Sequence, residues 1–147
     1  MLFRSHSIEH YMLLREYLDE DKRLEFIKDL EKSYNIVFYI QLLEIEKQYK
    51  AILTFVTKNS DNYHLAEIIK PIIHIYPDEA LDIIKTISDK YIEQKGRSSY
   101  ARACRLLELM LTVPQKKEAL KSYVNELYNH QPRLPALRDE LSKARLI

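Results

Sequence analysis

The sequence predicts an all-α fold, seven to eight antiparallel helices arranged as helical hairpins in an α-α superhelix of the TPR or HEAT solenoid kind. Three observations lead there. Apolar residues recur three and four positions apart along almost the whole chain, clear period-2 alternation bounded by turn residues is absent, and the 147 residues include a single glycine. One glycine leaves few positions where the backbone takes positive φ at low cost, which disfavours tight hairpins, Gly-rich phosphate loops and Rossmann turns. The length suits one all-helical domain over residues 1–147, able to bury roughly two-thirds of the surface of the extended chain. A composition of 46% hydrophobic and 31% charged residues excludes disorder, low complexity and collagen-like repeats.

The helices follow in order. Ile8 to Leu18 places Ile8, Tyr11, Met12, Leu14 and Leu18 on one broad stripe, and the acidic run Asp19-Glu20-Asp21 suits the positive end of a second helix carrying Leu24, Ile27 and Leu30 inward. From Asn35 the series Phe38, Leu42, Ile45, Tyr49, Ile52, Val56 reads as one helical face, with a short strand at the β-branched pair Ile36-Val37 as the alternative. The polar stretch Lys58 to Asn62 is a loop. After it, Pro71 divides Tyr63 to Lys70 from Ile72 to Tyr76 at a kink, because proline lacks an N–H and its ring presses on the carbonyl four residues back.

Pro77, followed by Asp78 and Glu79, opens the strongest helix, which Gly96 stops. Ser98 or Ser99 then caps a helix with Tyr100, Ala103, Cys104, Leu107, Met110 and Leu111 on one side, while Leu106 and Leu109 lie off it. A helix apolar over more than half its girth needs neighbours on two flanks. Pro114 opens a further helix through Asn129, and Pro132 and Pro135 break the chain before a last one, Ala136 to Leu146. A recurrence of Tyr or Glu followed by Ala, at Tyr49-Lys50-Ala51, Tyr63-His64-Leu65-Ala66, Glu79-Ala80, Tyr100-Ala101-Arg102-Ala103 and Glu118-Ala119, repeats about once per helix, the spacing of α-solenoids.

The longest apolar run, Ile36 to Ile40, is far short of the ~18 residues of a membrane-spanning helix, and the first residues do not resemble a secretory signal. A cytoplasmic protein is expected. The single cysteine, Cys104, forms no internal disulfide and no cysteine-based zinc site, and reads as small core filler.

Little in the sequence suggests catalysis. His6-Ser7-Ile8-Glu9-His10 fits the H-x-x-E-H pattern of one zinc peptidase class, yet that mechanism needs a third distal ligand, and exposed terminal histidines are the better account. His64 with Glu67, and His74 beyond them, are fragments of a metal-carboxylate bundle motif, and His130 is a favourable charge at a helix C-terminus. No Ser, His and Asp arrangement is legible. No catalytic, cofactor-binding or metal residue is therefore assigned, no cofactor is expected, and most of the eleven tyrosines fall on core stripes.

Charge is the sharper signal. Residues 1–94 carry 12 basic and 17 acidic side chains, whereas residues 95–147 carry 11 and 5, so a net +1 hides an acidic and a basic half. Either the halves attract each other, or the basic one meets an acidic partner. At 100° per residue Arg102 and Arg105 flank Leu109, away from the main apolar stripe of their helix. The candidate partner surface is Arg97, Arg102, Arg105, Leu109, Lys116, Lys117 and Lys121. The expected partner is a protein; the alternative is nucleic acid, held through phosphates by the basic half.

Three stretches carry a family resemblance: Tyr76-Pro77-x-Glu79-Ala80-Leu81, Gly96-Arg97-x-x-Tyr100-x-x-Ala103, and Arg133-Leu134-Pro135-Ala136-Leu137-x-x-Glu140-Leu141. Across roughly residues 36 to 147 the chain resembles the helical region C-terminal to the zinc finger in bacterial SWIM zinc-finger proteins. The finger itself, with its C-x-C and C-x-H ligands, has no counterpart, so its metal binding and nucleic-acid role do not carry over. The resemblance implies a separated tail or a C-terminal piece of a longer protein.

Overall fold

Capping side chains begin two of the helices, and prolines open two others. The computed structural model describes residues 8–32 and 35–147, and among these it contains nine α-helices and no strand. The all-α expectation holds, with more helices than the seven to eight anticipated. The extra one arises in the Asn35 to Val56 series, which is two helices, α3 (Ile36–Ile45) and α4 (Tyr49–Lys58).

Before them, α1 (Ile8–Arg15) and α2 (Glu20–Asp29) both pack on α3. Asp19 caps α2, its side chain accepting from the Lys22 N–H at 2.9 Å, as the acidic run suggested. Asn35 caps α3 in the same way, accepting from the Phe38 N–H, so Ile36-Val37 begins a helix rather than a strand. On α1 only Tyr11 is buried; Met12, placed inward by the stripe, is exposed.

The break between α3 and α4 is a Schellman turn. The Gln48 N–H donates to the Leu43 carbonyl at 2.8 Å and the Lys47 N–H to Glu44 at 3.0 Å, with Lys47 left-handed at φ 57°. A periodic apolar pattern continues across such a turn because both helices face the same core, so periodicity alone cannot reveal it. A side chain at this φ costs about 1 to 2 kcal/mol, and exposed Lys47 forms no side-chain hydrogen bond or ion pair with the described residues that offsets it. Lys47→Gly should therefore raise stability by about 0.5 to 1 kcal/mol in urea unfolding, the added freedom of the unfolded chain cancelling the remainder.

Next, α5 (Leu65–Ile69) ends in a 3-10 turn over Lys70–Ile72 that contains Pro71. The second segment expected there, Ile72 to Tyr76, is a turn rather than a helix, closed by the Tyr76 N–H on the Ile72 carbonyl at 2.8 Å. Then α6 (Pro77–Gln94) starts at Pro77 as expected and stops before Lys95 and Gly96, which have φ 58° and 105°. Gly96, not Ser98 or Ser99, is the N-cap of α7 (Arg97–Leu109), and no side chain caps that end. Two successive residues at positive φ reverse the chain within a two-residue link, which leaves no place for a serine cap.

The hairpin of α6 and α7 is the most extensive packing in the molecule, and α5 and α9 (Pro135–Lys143) also lie on α7. The requirement for neighbours on two flanks is met, with Leu106 and Leu107 both buried. Leu111 is different. At Met110 the chain tightens into a 3-10 turn, Met110–Thr112, and Leu111 swings out of the core to 50% exposure. A second 3-10 turn, Pro114–Lys116, leads into α8 (Lys117–Tyr128), which is shorter at its start than expected. Of the recurring alanines Ala80 and Ala103 are fully buried, whereas Ala51 and Ala119 are exposed, so the recurrence does not mark a uniform close approach of helices.

Candidate functional site

The six cations of the candidate surface lie on α7, on the Pro114–Lys116 turn and on α8, and four of them are engaged within the molecule. Arg97, the first residue of α7, donates through one nitrogen to Asp139 Oδ2 at 2.5 Å and Glu140 Oε1 at 2.9 Å on α9. The Arg97 bond to Asp139, with one from Lys143, holds the Asp139 carboxyl below its ordinary value. The Arg102 guanidinium lies 4.6 Å over the Tyr63 ring. Arg105 donates to Glu67 Oε1 at 3.1 Å, and Lys116 pairs with Asp78.

The last two pairs join the basic half to the acidic one, the mutual attraction that the charge asymmetry raised. Exposed pairs of this kind contribute about 0 to 1 kcal/mol each, so they orient helices more than they stabilise them. Arg102 and Arg105 do not jointly frame Leu109. Arg102 reaches Tyr63 and Arg105 reaches Glu67, and half-buried Leu109 lines a hollow with Arg105, Ile73 and His74 that Arg102 does not enter.

Two candidates remain. Lys117 and Lys121 are exposed and make no ion pair with any described residue. They stand beside an open, mostly apolar groove of about 640 Å3. Its floor is Met110, Leu120 and Val124, all buried, and Leu111 and Ile147 form exposed apolar rims. The groove was not read from the sequence, although the spacing of Lys117, Leu120, Lys121 and Val124 on a single helical face carried its signal.

A second polar cluster, also missed, sits at the opposite end of the chain. Glu46 Oε2 accepts from the Tyr11 hydroxyl at 2.6 Å and from Arg15 Nε at 2.8 Å, while Oε1 accepts from Arg23 Nε at 3.1 Å. Its side chain is 4% exposed. Burial by itself raises the Glu46 pKa, but the bonds from Arg15, Tyr11 and Arg23 outweigh it and hold the carboxyl below its ordinary value. Sequence separations of 23 to 35 residues hid this cluster.

The remaining chemical candidates stay apart. Of the His6 to His10 motif, His6 and Ser7 lie outside the described residues. His64 Nδ1 stands 3.9 Å from Glu67, His74 faces the Thr112 hydroxyl, and His130 Nδ1 bonds the Pro132 carbonyl. Among the described residues no group of three or more His, Cys, Asp or Glu is placed to hold a metal ion. The Cys104 thiol is buried, as core filler should be, and burial with help from Glu140 and Glu108 pushes its pKa up to about 12, leaving it protonated at neutral pH. Among the described residues no helix is long and apolar enough to cross a membrane.

Comparison with known proteins adds one relationship. The chain is 40% identical over 60 residues to the uncharacterized protein YwqB of Bacillus subtilis (strain 168). The match takes in 39% of this chain and 11% of YwqB, so the chain spans about a tenth of the length of the curated relative it matches. No family model matches the sequence. No solved structure matches it either.

Proposed function

We propose that this chain is a helical protein-interaction or scaffolding module, an array of hairpins whose outer faces, rather than a reaction centre, are used. One observation carries the reading: Lys117 and Lys121, the cations of α8, which have no ion pair among the described residues, stand beside exposed apolar surface. A free charge next to exposed apolar side chains is the arrangement of a protein-docking rim, since phosphate binding gains nothing from the apolar part. The solenoid interpretation rests on the α6 and α7 hairpin and on α7 being flanked by further helices, the nearest-neighbour packing that repeat arrays use. A cytoplasmic setting accords with a lone free thiol. Kinship with the helical region of SWIM proteins, and a place within a longer protein, belong to the same proposal; the small share of YwqB that the match covers supports the second.

The test is cross-linking in cells that produce the protein, followed by nuclease treatment and a salt series. A defined polypeptide retained after nuclease and at high salt is the expected result. Complexes that disappear with nuclease, and whose binding constant falls log-linearly with salt, would replace this reading with the nucleic-acid one through Arg97, Arg102, Arg105 and the nearby lysines.

A further inference from the structure

We infer that the groove between α8, the Met110–Thr112 turn and Leu146-Ile147 receives an amphipathic helix with an acidic flank, contributed by another polypeptide. This rests on the protein-interaction reading and names its site and the partner's chemistry.

The geometry of α8 points to a helix. Lys117, Leu120, Lys121 and Val124 occupy positions i, i+3, i+4 and i+7, one face of about two turns and roughly 10 Å in length. An incoming helix offering apolar anchors at i, i+3 or i+4, and i+7 spans the same distance. The buried floor of Met110, Leu120 and Val124 gives those anchors a dry seat, and Leu111 and Ile147 stand as apolar walls on the sides.

Charge selects the flank. Lys117 and Lys121 are one helical turn apart, so two carboxylates four residues apart on the partner meet both at once. Their attraction is unspent, because neither lysine has an ion pair among the described residues, whereas Lys116 is already committed to Asp78. The groove's openness argues against an acyl chain, whose outer side would stay in water along its whole length. An amphipathic helix places its polar face there instead.

The probe is a fluorescein-labelled, sixteen-residue Ala-based helical peptide with leucines three and four apart on one face and two glutamates four apart beside them. A second peptide carries lysines in place of the glutamates. Fluorescence anisotropy with the whole chain should show saturable binding of the acidic peptide, loss of that binding in Leu111→Asp, and about tenfold weakening in the double variant Lys117→Glu, Lys121→Glu. The basic peptide should prefer the double variant. All these replacements are at exposed positions, and circular dichroism melting checks that each variant is folded.

Equal binding of both peptides, unchanged affinity in the double variant, or no binding would overturn the inference. So would a concentration-dependent dimer that Leu111→Asp abolishes, which would make a second copy the occupant, or dodecanoate binding without peptide binding. The broader reading fails separately: a cross-linked cellular partner insensitive to Leu111→Asp would leave the interaction module standing and remove only this groove.

Discussion

Replacing Leu107 by alanine should destabilise the protein by about 2 to 5 kcal/mol, the range for a buried leucine that leaves a cavity. Leu107 is 0% exposed, on the helix against which α5, α6 and α9 all pack. Neighbours held on several flanks cannot all move in to fill the space, which places the expected loss in the upper part of that range. For a chain of this length that corresponds to a fall in melting temperature of the order of 10 °C. Leu111→Ala is the companion measurement. Sequence periodicity puts both leucines on one stripe, but Leu111 is half exposed, so its loss should stay below about 1 kcal/mol. Equal losses at the two positions would mean that the 3-10 turn at Met110 is misplaced.

The second large effect is expected at Glu46, which closes the C-terminal end of α3. A carboxylate there faces the negative end of the helix dipole, and Arg15 and Arg23 more than compensate. Glu46→Gln keeps the shape and removes the charge. It should cost about 1 to 3 kcal/mol, because Arg23 and the Tyr11 hydroxyl lose an ionised acceptor that is itself almost fully buried, while the more exposed Arg15 is partly compensated by water. The damage should be local. Hydrogen exchange should accelerate in α1 and α2, which Tyr11, Arg15 and Arg23 tie to α3, and remain unchanged in the α6 and α7 hairpin.

The same site sets a pH dependence. Since the folded protein holds the Glu46 carboxyl below its ordinary value, the stabilisation is complete above the unfolded value and is lost as pH falls through the lower folded one. Protection of α1 and α2 should therefore decline below about pH 4, and Glu46→Gln should remove that component. An unaltered acid profile in Glu46→Gln would show that the carboxylate does not hold these helices.

Much of this architecture was legible because it is local. Pro77 fixes a helix start through its own ring, Asp19 caps α2 three residues along, and the inward face of α6 follows from a period of 3.6 residues. The misplaced features are those where backbone geometry changes without a change in composition. Lys47 turns the chain with a residue that ordinarily propagates helix, and the tightening at Met110 rotates Leu111 outward. In the candidate surface the sequence named the cations and could not tell which of them other segments hold. Arg97 and Asp139 are 42 residues apart, and only the packing of α7 on α9 joins them.

The sequence by itself determined that the fold class is all-α, which faces of most helices turn inward, and that the basic charge gathers in the last third. Each of those follows from interactions within a few residues. Only the tertiary structure decided that Arg97, Arg105 and Lys116 are held by carboxylates, that Glu46 gathers α1 and α2, and that Lys117 and Lys121 border an apolar groove. Whether a charge is free depends on what distant segment is brought within about 4 Å of it, and helix packing sets that distance.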